Sequence, residues 1–216
     1  LDQMLFHLPL AGSAFKKVYY DAVKGRAVSK FIPAEDVVIP YNTTDMESCE
    51  RITHVVKMMS NELRKKQVGG MYRDIDISES PVDKNDAAKK YDELDGVTET
   101  YNAEDIVLLE FHCDLDIAGF EDKNATTGES TGIKLPYVVT VDEGSGKVLS
   151  IYRNYAEGDI LRKKIQYFVH YKFLPGLGFY GFGLIHMLGG LSRTATSALR
   201  QLIDAGTLAN LPAGFK

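Results

Sequence analysis

The alternation of apolar and polar positions sorts most of this chain into strands before any chemistry is considered. In "VLLEFHCDLDI", residues 107–117, Leu109, Phe111, Cys113, Leu115 and Ile117 fall on one side and Glu110, His112, Asp114 and Asp116 on the other. That period of two predicts a half-buried antiparallel strand with the second set facing water. "YVVTV" and "KVLSIYR" flank the short glycine-containing "DEGSG" and predict a hairpin. "IQYFVHYKF" alternates again, with Ile165, Tyr167, Val169, Tyr171 and Phe173 facing one way, so four successive strands are expected in one antiparallel sheet. Nearer the start, "FKKVYYD" and "VVIPY" within residues 15–41 read as β structure, with "VKGR" as a turn signal. "ERITHVVKMM" places Ile52, His54, Val56 and Met58 on one face of a strand, although "MESCERITHVVKMMSNELRKK" also fits a single long helix.

Two stretches carry the helical period instead. "NELRKKQ" is expected as a short helix with Ser60 as its N-cap, Glu62 in its first turn and an end at Gly69-Gly70. Toward the C-terminus, Leu184, Leu188, Leu191, Ala195, Ala198, Leu199 and Leu202 form an apolar stripe opposite Arg193, Ser197, Arg200 and Asp204, with Gly206 suited to the end of the helix. The fold class expected is α+β: antiparallel strands, a short central helix and a long C-terminal amphipathic helix.

Charge adds a segment that the periodicity leaves blank. Residues 74–105 hold eleven acids and three bases, whereas residues 147–172 hold six bases and two acids. Within the acidic stretch, Ser80-Pro81 resembles a helix start and Gly96 a helix end, around a short exposed helix with too few apolar residues to anchor it, so mobility is expected there. The organisation expected is a region 1–75, the acidic segment 76–105, a β region 106–173, and a glycine-rich turn with its helix at 174–216.

Composition excludes several classes. At 216 residues with 44% apolar and 25% charged content, the chain can bury a core as one large domain or two small ones. Cys49 and Cys113 are too few for a disulfide framework and are expected as free thiols in a reducing compartment. The opening Leu1, the lack of a basic-then-apolar leader and the abrupt "LPAGFK" suggest an excised piece of a longer protein. Residues 173–192 contain no Lys, Arg, Asp or Glu, but Pro175 and six glycines interrupt them. The uninterrupted helical part, residues 184–188, would cover only about 8 Å of the roughly 30 Å a bilayer core requires, so no transmembrane span is expected.

Candidate chemistry is sparse. Gly176, Gly178 and Gly181 spell G-x-G-x-x-G between a strand and a helix, the pattern of a dinucleotide loop. A dinucleotide-binding strand is parallel and apolar on both faces, yet the strand here carries Gln166, His170 and Lys172, and Phe179, Tyr180 and Phe182 would crowd a pyrophosphate. His112, Asp114 and Asp116 share a strand face but spread over about 13 Å, too far to reach one ion without a group from a neighbouring strand. His7, His54, His170 and His186 stand in no triad or acid–base spacing. No catalytic, cofactor or metal site is expected, and no Walker-type phosphate loop is present.

The segment "YKFLPGLGFYGFGLIHMLGGLSRTATSALRQLIDAGTLANLPAGF", residues 171–215, resembles the portal proteins of tailed double-stranded DNA bacteriophages of the podovirus type, which carry a strand, a Pro-Gly-Phe-Tyr-Gly turn and a long helix. "AGSAFKKVYYD", "FIPAEDVVIPY", "RITH" with "NELRKKQVGGMYRD", and "HCDLDIAGFED" followed by "PYVVTVDEGSGKVLSIYRNY" resemble the same family in the same order. Residues 76–105 and 123–132 lie outside the resemblance.

The resemblance implies a homo-oligomeric ring, commonly of twelve subunits, at one capsid vertex, through which DNA is packaged and ejected and to which the tail attaches. It implies no enzyme: a separate packaging motor, the terminase, would supply energy. Capsid and tail adaptor proteins and double-stranded DNA, bound without sequence preference, would be the partners. The setting would be the virion, and the host cytoplasm during assembly. Residues 1–75 would correspond to wing or wing-to-stem, 106–173 to a clip-like part, and 174–216 to the stem or channel helix of an incomplete subunit. Arg193 and Arg200, seven apart on one helical face, and the basic run Arg162, Lys163 and Lys164 would face the channel or a neighbouring subunit. Pro175, Gly176, Gly178, Phe179, Tyr180, Gly181 and Gly183 would form a structural turn that packs subunits together. A metal- or nucleotide-dependent enzyme and a different virion interaction module are the competing readings.

Overall fold

The computed structural model describes residues 1–21, 25–77, 90, 93, 96, 105–124 and 127–210. In chain order the elements are α1 (Asp2–Ala11), β1 (Ser13–Asp21), β2 (Arg26–Ile32), a 3-10 turn (Ala34–Asp36) and β3 (Val37–Val38). They continue with β4 (Arg51–Met59), α2 (Ser60–Val68), β5 (Asp105–Leu115), β6 (Leu135–Asp142), β7 (Val148–Arg153), β8 (Phe168–Lys172) and α3 (Leu184–Asn210). All strand pairing is antiparallel, and with the helices this is an α+β fold. The helix expected between Ser80-Pro81 and Gly96 falls largely outside the described residues.

Chain contacts divide the molecule into two compact units, Leu1–Ala34 with Phe168–Lys216, and Glu35–Tyr167. The four-part division expected above follows chain order; the structure groups segments by strand pairing. β8 does not extend the sheet of β5, β6 and β7 as expected. It pairs with β1, giving a three-stranded sheet in the order β2-β1-β8. The reason is local: after β7 the chain turns away at Asn154, whose N–H and side-chain amide bond Pro136 and Ile165 carbonyls, and β8 shrinks to five residues.

The second unit is a five-stranded sheet ordered β3-β4-β5-β6-β7. Register places Met58 opposite Ile106, Val56 opposite Leu108 and Ile52 opposite His112 on one face. There Met58, Ile106, Leu108 and Leu149 pack with Leu63 of α2, Tyr72 and Ile77. A bulge in β7 opposite Thr140 and Val141 lets Leu149 join that layer. The other face carries Leu135, Tyr137 and Val139 against Phe111, Leu115 and Ile117.

"ERITHVVKMM" is a strand and not part of a long helix. Its β-branched residues find partners on both sides, which outweighs the helical preference of its neighbours. α2 begins one residue earlier than expected: Met59 is the N-cap and Ser60 the first helical residue, with no side-chain cap bond. The end at Gly69 and Gly70 is as expected, Gly70 taking φ 72°. α1 has no sequence signal of this kind, since Pro9 sits inside it and its apolar residues surround it. α3 runs through Gly206 to Asn210 and does not stop there. A glycine in a helix costs about 1 kcal/mol, which is a penalty and not a terminator.

Candidate assembly surface

In the first unit the glycine-rich turn is held by direct backbone contact. The Phe173 N–H donates to the Gly12 carbonyl (3.0 Å), and Leu174 and Phe182 exchange backbone hydrogen bonds of 3.3 and 2.8 Å, pinching the intervening loop shut. Gly12, in the left-handed region at φ 87°, closes α1 and lies against Gly181 and Gly183. A Cβ on Gly12 would stand 2.4 Å from the Gly183 nitrogen; one on Gly181 would stand 2.5 Å from the Gly12 carbonyl oxygen; one on Gly183 would stand 2.3 Å from the Leu10 carbonyl oxygen. These glycines exist so that two chain segments can cross at backbone distance. Gly176 is restricted by the Tyr180 carbonyl at 2.8 Å, whereas Gly178 faces open space.

Ser13 and His170 lock the crossing. The Gly181 N–H donates to Ser13 Oγ at 2.9 Å, and Ser13 Oγ lies 3.2 Å from His170 Nε2. His170 stacks on both Phe15 and Phe179, each ring centroid 4.5 Å away and nearly parallel, and those two rings lie 6.0 Å from each other. Burial, helped by the Lys172 ammonium, pushes the imidazole pKa down to about 4, so the ring is neutral near pH 7 and can accept the Ser13 hydroxyl proton. Phe179 is thus consumed inside its own unit, which corrects the expectation that the turn's aromatics all serve packing between subunits. Leu177, Tyr180 and Phe182 do remain open to solvent.

The turn launches α3. The Gly183 N–H donates to His186 Nδ1 at 3.1 Å, an N3 side chain reaching back to the N-cap in the manner of a capping box. The helix has 27 residues, about 40 Å of length. Leu184, Leu188, Leu191, Ala195, Ala198, Leu202, Ala205 and Ala209 follow alternating spacings of four and three, the pattern of a coiled-coil seam. The larger members are bare: Leu191 is 69% exposed and Leu202 73%. Arg193 and Arg200 lie on the opposite side, exposed and about 10 Å apart along the axis.

The other basic candidates have local partners. Arg162, at φ 47°, forms an ion pair with Asp122, which also accepts a hydrogen bond from the Thr131 hydroxyl at 2.6 Å. Lys164 Nζ donates to the Cys49 carbonyl at 2.6 Å. Lys163 is exposed; its backbone N–H, with that of Leu161, caps Asp159. Arg162 and Lys164 therefore hold loops in place within the second unit.

His112 required the largest correction. It is only 3% exposed, on the covered face of β5, with Nε2 2.5 Å from Glu110 Oε1 and its ring against Tyr167, 5.6 Å between centroids. The face expected to be solvated is covered as far as His112, where Ile106 and Leu108 precede it and Ile52 lies opposite, and opens to solvent at Asp114. Burial and the Glu110 carboxylate raise the pKa of Tyr72 to about 12 and that of Tyr167 as well, keeping both phenols protonated. Asp114 and Asp116 are exposed and separate from His112. Among the described residues no group of three or more His, Cys, Asp or Glu side chains is placed to hold a metal ion. Cys49 and Cys113 are free, and burial raises the Cys113 thiol.

β8 is antiparallel to β1, so the G-x-G-x-x-G stretch does not follow a strand of the dinucleotide-binding type. Among the described residues no helix is long and apolar enough to cross a membrane. No protein-family model and no curated protein sequence matches the chain.

Proposed function

We propose that this chain is part of a ring-forming subunit of a double-stranded DNA conduit at a capsid vertex, the role that its resemblance to phage portal proteins implies. The observation that carries the reading is α3, a 27-residue amphipathic helix whose heptad-spaced apolar stripe is uncovered. A helix with Gly189, Gly190 and Gly206 in its interior is marginal in water by itself, because each glycine costs about 1 kcal/mol and nucleation is unfavourable. Burying the four half-exposed leucines of the stripe against neighbours would contribute on the order of 4–7 kcal/mol per helix. Repetition of the same contact around a closed ring meets that need with one surface pair.

The opposite side suits a conduit. Arg193 and Arg200 would offer phosphate attraction that is graded and independent of sequence, letting DNA slide where base readout would hold it. The glycine crossing and the Ser13–His170 lock would fix the angle at which the helix leaves its sheet. In this reading the packaging motor, capsid and tail adaptor proteins are partners contacted by other surfaces. Electron microscopy of the full-length polypeptide tests the proposal: closed rings with a central channel are expected, and a monomer that stays dispersed at micromolar concentration and above would refute it.

A further inference from the structure

A groove of about 500 Å³ runs along the outer edge of β7, within the second unit. Register shows why this edge is open. Ser150 and Tyr152 lie opposite Thr140 and Val138, and the Asn154 N–H bonds the Pro136 carbonyl, so the even-numbered residues bond to β6. The backbone groups of Leu149, Ile151 and Arg153 then point outward. Leu149 is already taken, its carbonyl accepting the Arg73 N–H at 2.9 Å, which leaves Ile151 and Arg153. Met71 and Tyr72 wall one side of the groove; Ile117, Phe120 and Tyr137 wall the other. Phe120 is 60% exposed and Ile151 49%. Arg73 and Arg153, both exposed, are its charged residues among those described, and no described Asp or Glu lines it.

We infer that this edge binds an extended, acidic segment of a partner protein as an added strand, pairing with Ile151 and Arg153. Backbone pairing would supply affinity, side chains of the added strand would pack against the groove walls, and carboxylates would meet Arg73 and Arg153. A basic residue on an edge can also serve only to discourage pairing with other edges. Charge-swapped peptides separate the two roles.

The experiment uses the full 216-residue chain and a fluorescein-labelled ten-residue peptide alternating valine and glutamate. Its comparators are the same peptide with lysine for glutamate and one interrupted by two prolines. Fluorescence polarisation should show the glutamate peptide binding at least tenfold more tightly than either comparator. R73E and R153E should each weaken it at least tenfold and improve the lysine peptide, with R153Q intermediate and circular dichroism unchanged. Amide exchange at Ile151 and Arg153 should slow at least tenfold with the glutamate peptide. Equal affinity for the two charged peptides, indifference to proline, or no binding at millimolar concentration would overturn the inference. So would concentration-dependent protection of the same amides in the chain alone, which would assign the edge to a second copy.

Discussion

Removal of the Ser13 hydroxyl would strand the Gly181 N–H in a buried position, where an unsatisfied donor costs about 1–3 kcal/mol. Ser13→Ala is therefore expected to lower the unfolding free energy by that amount, read as a lower urea midpoint, and an unchanged midpoint would remove Ser13 from the lock. His170 makes the same junction sensitive to pH. Its folded pKa, about 4, lies below the ordinary 6.5, so in between the unfolded chain binds the proton and the folded one does not. The contribution of neutral His170 is complete above pH 6.5, falls as pH drops toward 4, and is gone below that. Urea midpoints between pH 7 and 4 should show this decline, and His170→Phe, which keeps the ring stack without a titrating group, should flatten it. The residues are legible in the sequence, but their meeting is not: Ser13 and Gly181 are 168 positions apart, and no spacing rule joins them.

At the scale of elements, the glycine turn separates replaceable from irreplaceable positions. Gly12→Ala would place a Cβ 2.4 Å from backbone at a left-handed φ, and is expected to unfold the first unit. Gly178→Ala meets nothing within 4 Å and should leave the melting temperature within about a degree. In α3, Gly189→Ala and Gly190→Ala should each add about 0.8–1.0 kcal/mol of helix stability, read as increased ellipticity at 222 nm. Periodicity made α3, the β6–β7 hairpin and β5 visible, because each has a one-sided apolar pattern or a glycine-marked turn. α1 stayed hidden behind Pro9, and the short β3 is only two residues, below what alternation can resolve.

For the whole molecule, the exposed stripe of α3 is where the proposed ring would be broken without breaking the fold. Leu191→Glu with Leu202→Glu, which keep a helix propensity close to leucine's, should leave the circular dichroism of the chain unchanged, since both side chains are already in water, while preventing rings of the full-length protein in sedimentation and electron microscopy. Replacing Arg193 and Arg200 together by alanine in the full-length ring is expected to impair DNA packaging or ring assembly. Packaging and rings both unchanged would take the two arginines off the channel.

The sequence by itself determined the local elements whose cause is local: the alternating strands, the hairpin turn at "DEGSG", the end of α2 at its glycine pair, and the amphipathic character of α3. Only the tertiary structure decided that both sides of β5 are partly covered, since one strand's alternation names two faces and the elements packed on each decide how far it is buried. It also decided that β8 joins β1, because strand pairing is a choice among distant partners of similar pattern. The glycines needed both: their spacing suggested a loop, and the crossing of two backbones at contact distance gave Gly12, Gly181 and Gly183 their reason.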